Sequence, residues 1–243
     1  MEIAREQAAW ENWSGSVRCE PAHGIAFPAN EEEIAAEVRE AATRGGQVRV
    51  AGSGHSFMPL CASYDVVISL DRCQGIVATD AARDEATVRG GTKIHALGEP
   101  LLAADLALAN QGDVDVRATA GAGSTGTHGT GVALGNLSTQ VSGMRLVTAA
   151  GDLVALDETR DPDVMRAARL SLGMLGVIAE LRLKLVKAYR LHERLWKASV
   201  EDCLAKLDSL IASHRHFEFF WYRTEDMAHM KALSQTDLFC DGL

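Results

Sequence analysis

The stretch Val48-Arg49-Val50-Ala51-Gly52-Ser53-Gly54-His55-Ser56-Phe57 decides how this chain is read. Val48 and Val50 share one face of a short strand, which runs directly into a glycine turn. Upstream, Asn30 is placed to cap a helix with Glu33 reaching back, and Ile34, Ala35, Val38, Ala41 and Ala42 form its apolar stripe up to Gly45 and Gly46. Helix, strand and glycine turn therefore follow one another without a linker. A G-x-G turn lets backbone N–H groups approach a phosphate with no Cβ in the way. A G-x-G-x-x-G dinucleotide turn is disfavoured: Phe57 stands at the third glycine, Pro59 follows, and the next periodic run, Asp65 to Leu70, reads as a buried strand.

Working outward, Ile76 to Thr79 and Ala86 to Arg89 read as a hairpin, and Lys93 to Leu106 as a helix broken near Gly98 and Pro100. A second glycine-dense segment, Gly121-Ala122-Gly123-Ser124-Thr125-Gly126-Thr127-His128-Gly129-Thr130-Gly131, reads as a loop with no strand clearly before it and no helix after it. Met144 to Thr148 and Leu153 to Leu156 form a hairpin, and Asp161-Pro162 opens a helix with Val164, Met165 and Ala168 inward. Val177 to Leu185 alternates as a strand with one wet face. Beyond Tyr189 come a strand to Trp196, a helix from Ser199 aligning Leu204, Leu207 and Ile211, and an apolar aromatic run, Phe217 to Tyr222, read as core. A domain boundary is placed near residue 187. His214 and His216 read as a solvated helix end, with a metal site the lesser alternative. Two tight structural turns account for the glycine spacing as well as a ligand cradle does; two loops so close in the chain, each with a histidine, His55 and His128, tilt the balance towards a ligand.

The chain has 243 residues, 47% of them hydrophobic, enough for one large domain or two modest ones. Its net charge of −9 disfavours nucleic acid and anionic membrane surfaces as partners. Five cysteines, Cys19, Cys61, Cys73, Cys203 and Cys240, stand far apart with no C-x-x-C pair, which argues against a disulfide framework or zinc site and for a reducing, cytoplasmic location. No signal sequence is visible, and no apolar run approaches the ~20 residues of a membrane span.

Three segments carry a family resemblance: Val48 to Phe57, Gly121 to Gly131 with Gly126-Thr127-His128-Gly129, and Ser171-Leu172-Gly173-Met174-Leu175-Gly176-Val177-Ile178. In this order they resemble the FAD-contacting segments of the vanillyl-alcohol oxidase family, most closely its sugar-1,4-lactone oxidases (gulono-, galactono- and arabinono-lactone) and next its alditol oxidases. The resemblance implies an α+β fold: a PCMH-type FAD-binding domain over residues 13–187, in two α+β subdomains of about 13–72 and 73–187, followed over 188–243 by the start of an α+β substrate, or cap, domain. It also implies FAD as cofactor, with Ala51, Gly52, Ser53, Gly54, His55 and Ser56 along the pyrophosphate, Gly121, Thr125, Gly126, Thr127, His128 and Gly129 holding the other side, and Val50 and Ala118 as further contacts. Asp113 is a further implied contact, and Ile178 meets the adenine through its main chain. His55 matches the position that bonds covalently to the flavin 8-methyl group. With no cysteine between Cys73 and Cys203, a single histidyl bond is expected.

Gly112 matches the position over the flavin's oxygen-reactive carbon, where a small residue implies oxidase rather than dehydrogenase chemistry. The implied activity is oxidation of a small-molecule sugar lactone, or a polyol, by oxygen to give hydrogen peroxide. Family members continue well past this length through a full substrate domain with catalytic charged groups and a His-Trp pair, so this chain is expected to be the FAD-binding portion of such an enzyme, without a nameable catalytic base. A non-catalytic flavin-binding module and a flavin-free phosphate-binding protein are the competing readings.

Overall fold

Asn30 Oδ1 accepts the Glu33 N–H at 2.9 Å while the Glu33 carboxylate accepts the Ala29 N–H at 2.8 Å, so the reciprocal cap read from the sequence closes one residue earlier than the cap itself. A computed structural model describes residues 3–238; Cys240 lies outside the described residues. The N-terminal lobe comprises β1 (Ala4–Glu6), β2 (Trp10–Glu11), β3 (Arg18–Cys19), β4 (Ile25–Phe27), α1 (Glu31–Thr43), β5 (Val48–Ala51) and β6 (Val66–Ser69). Its main sheet has the order β1-β4-β6-β5, with β4, β6 and β5 parallel and β1 antiparallel at the edge. Val66, Val67 and Ile68 are fully buried, as a central parallel strand covered on both faces requires.

Next come β7 (Ile76–Asp80), β8 (Glu85–Arg89), a 3₁₀ turn (Ile94–Leu97), α2 (Gly98–Ala103), β9 (Leu106–Ala107), α3 (Thr119–Ser124), β10 (Val141–Val147), β11 (Leu153–Asp157), α4 (Pro162–Arg169) and β12 (Val177–Lys184). The second sheet, β11-β10-β12-β8-β7, is antiparallel throughout. Two cores hold it. Ile34, Ala35, Val38 and Ala41 of α1 pack with Ala26, Val66 and Ile68 from the first sheet and Val147, Val177 and Ala179 from the second, tying the lobes together through one helix. Leu97, Leu101, Ala120, Ala122, Met165 and Ala168 pack against Val88, Leu146, Leu181 and Leu183.

A short β13 (Val186–Lys187) pairs with β9 and leads to β14 (Arg190–Ser199), α5 (Val200–Ala205), α6 (Leu207–Ser213), β15 (His216–Trp221) and β16 (Met227–Thr236). These strands form an antiparallel sheet, β14-β16-β15, whose one face buries Ala228 and Met230 with Trp196, Phe217 and Phe219 against Cys203 and Leu210 of the two helices. No helix among the described residues is long and apolar enough to cross a membrane.

Several local expectations shift. Lys93 to Leu106 divides into a 3₁₀ turn and α2, with Pro100 in the first turn of α2 where its missing N–H breaks no bond. Val164 is half exposed, leaving Met165 and Ala168 as the inward side of α4. Leu204 is likewise exposed, and Cys203 takes the inner position because the break at Lys206 resets the helical phase. The aromatic run obeys a period of two at its start, so Phe217 and Phe219 face the helices while Phe220, Trp221 and Tyr222 are exposed. On β12 the wet face is occupied: Ile178 is buried, Glu180 lies near Arg145, and Arg182 bonds Asp157 at 2.5 Å.

Candidate functional site: two adjoining cavities

Where β5 ends, the chain leaves the sheet at Gly52, and Gly54 adopts φ +66°, a backbone state favouring glycine. A Cβ at Gly54 would only touch the Trp13 backbone N, at 3.4 Å, so it is the backbone conformation that favours glycine; the Trp13 N–H donates to the Gly54 carbonyl at 2.9 Å. The N–H groups of Ser53, Gly54, His55 and Ser56 donate to no protein acceptor among the described residues. Four consecutive partly buried donors without partners are what a bound anion satisfies. The Ser53 hydroxyl donates to the Val116 carbonyl and accepts from Lys93 Nζ at 3.0 Å, pinning this turn to the segment before α3.

α3 stands where the sequence reading expected a loop. Glycines at 121 and 123 are poor helix formers, and tertiary contacts supply the stability: Ala120 and Ala122 enter the core, Ser138 Oγ donates to the Gly123 carbonyl at 2.6 Å, and Thr119 Oγ1 donates to the Arg89 and Gly90 carbonyls at 3.3 Å. Among the described residues the Gly121 N–H has no protein acceptor, and apart from its own helix and chain neighbours nothing lies within 4 Å of where its Cβ would be.

A cavity of about 560 Å³ joins these parts. Val50, Ala51, Gly52, Ser53, Gly54, His55, Ser56, Ala118, Gly121, Thr125, Thr127 and Ile178 all line it, so most of the residues singled out in the sequence share one wall. Gly126, Gly112, Asp113, His128 and Gly129 do not. Gly126 turns the chain at φ +67° against Leu170. The other four line a second cavity of about 850 Å³, together with Asn110, Tyr189, His216, Glu218 and Lys231.

Sequence reasoning misses Arg117 and Gly90 as parts of the first cavity; Arg49 and the Leu172 to Gly176 turn, which also line it, lie within two of the segments that carry the resemblance. Arg49 and Arg117 have no carboxylate partner among the described residues, in a chain of net charge −9. Arg117 donates to the Val114 carbonyl at 2.9 Å and Thr127 Oγ1 at 3.2 Å. Leu172, at φ +53°, Met174 and Leu175 form an exposed apolar lip. Gly90 is needed because a Cβ there would collide with the Ile178 carbonyl.

His55 stacks on Trp13 and is partly buried; burial, then the positive charges of Arg117 and Lys93, push its pKa below the usual histidine value. Gly112 is buried, and its missing Cβ faces Arg117 Nη2 at 2.7 Å and the His128 carbonyl at 2.9 Å, so packing alone requires a glycine there. His128 Nδ1 lies 2.9 Å from the Gly129 carbonyl. His216 is buried rather than solvated, because β15 starts at this residue and carries it under the Thr130 loop. Among the described residues no group of three His, Cys, Asp or Glu is placed to hold a metal.

Unpaired backbone donors, arginines without a carboxylate partner among the described residues and an apolar lip fit a ligand with a pyrophosphate and a flat aromatic end, which is the make-up of FAD. The model of the D-arabinono-1,4-lactone oxidase family matches residues 181–239. L-gulono-1,4-lactone dehydrogenase of Mycobacterium tuberculosis is 40% identical over 228 residues, covering 94% of this chain and 52% of that protein. L-gulonolactone oxidase of Scyliorhinus torazame is 34% identical over 218 residues, 89% of this chain and 49% of its own length. D-arabinono-1,4-lactone oxidase of Eremothecium gossypii is 33% identical over 225 residues, 90% of this chain and 42% of that protein. The chain thus spans about half the length of the curated relatives it matches. Cholesterol oxidase from Brevibacterium sterolicum shares the fold, with a TM-score of 0.86 at 19% identity over 97% of this chain and 49% of that one. The FAD binding domain model covers residues 22–157, more than half of the chain and the whole of both glycine segments, and this protein therefore belongs to the FAD-binding-domain family.

Proposed function

We propose that this chain is the flavin-holding part of an oxidoreductase that oxidises the C2 hydroxyl of a sugar-1,4-lactone, with oxygen as acceptor and hydrogen peroxide as second product. The observation that carries this reading is the run of acceptor-free N–H groups from Ser53 to Ser56 sharing a cavity with Gly121 and Ile178. The lactone-oxidase family match directly downstream supports the substrate class. FAD, when bound, supplies the two-electron acceptor.

The chain's own groups would do the rest. The Ser53 to Ser56 and Gly121 amides bind the pyrophosphate, with Val50, Ala51, Gly52, Ala118, Thr125 and Thr127 beside it and the Ile178 main chain at the adenine end. Asp113, His128 and Gly129 continue the wall into the second cavity, and Gly126 shapes the turn between. His55, whose pKa is lowered by burial and by the Arg117 and Lys93 charges, would hold the flavin through a ring nitrogen, as the resemblance implies. Residues 13–187 act as the FAD-binding domain, and the chain from 188 roofs the second cavity as the start of a substrate domain. The free thiols of Cys19, Cys61, Cys73 and Cys203 support a reducing, cytoplasmic location.

A second reading, lactone dehydrogenase, is favoured by the 40% identical relative of that name and by the filled space at Gly112. The deciding experiment is a visible spectrum of the purified chain before and after acid precipitation, followed by aerobic and anaerobic mixing with L-gulono-1,4-lactone. Flavin bands retained in the precipitate establish a covalent link, and their loss in His55→Ala assigns it to His55; bleaching by lactone with rapid recovery in air establishes an oxidase, and bleaching without it a dehydrogenase. A yellow chain that lactone never bleaches is a flavin-binding module only. A chain that takes up no FAD overturns the proposal.

A further inference from the structure

The β14-β16-β15 sheet turns one face to its own helices, and from the other His216, Glu218 and Lys231 line the second cavity opposite Gly112, Asp113 and His128. His216 is 8% exposed. Its Nδ1 lies 3.1 Å from the Thr130 carbonyl and 3.2 Å from Thr130 Oγ1. A carbonyl only accepts, so Nδ1 carries the proton, and Nε2 of the neutral ring keeps a lone pair. No described group hydrogen-bonds to Nε2. The ring is therefore a buried, pre-oriented acceptor with one end left open in a cavity wall.

Its charged neighbours complement it. Lys231 Nζ stands 3.2 Å from Glu218 Oε1, 3.6 Å from Asp113 Oδ1 and 3.8 Å from Glu193 Oε2, one ammonium among three carboxylates. Pairing with a single cation leaves carboxylate lone pairs over, and the ammonium has three N–H donors to share. Leu97, Leu101 and Leu108 supply an apolar surface to the same cavity. A lone pair, a shared ammonium and spare carboxylate oxygens beside an aliphatic wall suit a small polyhydroxylated ring, whose hydroxyls donate and accept while its C–H face lies on apolar carbon.

The geometry points to the second cavity as a carbohydrate-binding site in which His216 Nε2 accepts a hydrogen bond from a ligand hydroxyl, with Lys231 and Glu218 binding its neighbours. The class of ligand rests on the lactone reading above; the acceptor itself rests on the Thr130–His216 geometry. Adding L-gulono-1,4-lactone to the flavin-loaded chain with ¹⁵N-labelled histidine is expected to move the His216 Nε2 resonance saturably. His216→Phe and Lys231→Met are each expected to raise the lactone Kd about 10-fold, the cost of one hydrogen bond in a shielded site, with flavin content unchanged. γ-Butyrolactone, which has the ring without the hydroxyls, should bind wild type and His216→Phe alike. Lactone binding that leaves the His216 resonance still, no lactone binding to the flavin-loaded chain, or an unchanged Kd in His216→Phe overturns the inference without touching the flavin reading. Should His216→Phe not fold, the wild-type resonance decides. If the chain takes up no FAD the proposed function falls, and the same titration on the flavin-free chain still tests His216.

Discussion

The Trp13 indole stacks on the His55 imidazole with ring centroids 5.0 Å apart and planes 20° from parallel. The contact is closed by the neighbouring backbone, since the Trp13 N–H donates to the Gly54 carbonyl and Asn12 Nδ2 donates to the Ser56 carbonyl, each at 2.9 Å. His55 is thus held in one orientation by residues some forty positions away, and stacking of this kind is worth about 0.5–1.5 kcal/mol.

Removing the stack should slow covalent attachment more than it weakens flavin binding. Trp13→Ala is expected to retain FAD and to form the acid-stable adduct roughly 2- to 10-fold more slowly, the rate equivalent of that stacking energy. His55→Ala should release all its flavin in acid. The fraction of flavin in the precipitate against incubation time reads both.

Two histidines give stability a dependence on pH with a definite sign. His55 is pushed down by burial and the Arg117 and Lys93 charges, and His216 by burial and Arg215 against the opposing Thr130 bond. Each has a lower pKa folded than unfolded, so the unfolded chain binds protons first; stability is full above about pH 6.5 and falls as pH drops through that value. Asp157, held well below the usual range by bonds from Thr159 and Arg182, adds a separate loss in the carboxylate range. A Tm profile should therefore be level from pH 8 to 7 and decline below about 6.5, with the first decline smaller in His216→Phe. A flat profile down to the carboxylate range counts against this.

Gly112→Ala tests packing and oxygen access together. The new methyl would meet the His128 carbonyl at 2.9 Å and Arg117 Nη2 at 2.7 Å; the arginine end can swing aside, whereas the backbone carbonyl cannot. A loss of about 1–3 kcal/mol in thermal unfolding is expected, as for other overpacked sites. An unchanged Tm would show that the loop yields freely, and reoxidation in air measured on the same protein then reports on oxygen access alone.

Arg117 lacks a carboxylate partner among the described residues and lines the same cavity as the unpaired amides. Arg117→Met is expected to weaken FAD binding about 10-fold or more, as the loss of a charged hydrogen bond does, and less in high salt. Quenching of flavin fluorescence on titration measures it. His55→Ala provides the background in which covalent capture does not obscure the equilibrium.

Asn30→Ala removes the side-chain acceptor of the Glu33 N–H and should cost about 1 kcal/mol, with flavin content unchanged. Thermal unfolding gives the cost directly. A value near zero would mean that the Glu33 carboxylate on Ala29 caps α1 unaided.

The amino-acid sequence by itself determined the elements whose signals are local. The Asn30 cap, the strand Val48 to Ala51 running into Gly52, both hairpins and the alternation of Val177 to Leu185 follow from periodicities and turn chemistry spanning a few residues. Much of the first cavity's wall lies in the three segments that carry the family resemblance, whose glycines are compatible with tight turns and with a ligand alike. Only tertiary structure made a helix of Thr119 to Ser124, whose glycines disfavour it until Ser138 and the core hold it. Only tertiary structure brought Arg117 between Gly112 and Thr127, divided the chosen residues between two cavities, and turned His216 from a solvated helix end into a buried side chain hydrogen-bonded to Thr130, 86 positions away. A contact across such a separation leaves no periodic mark in the chain, because it is decided by which surfaces the sheets present to each other once their cores have closed.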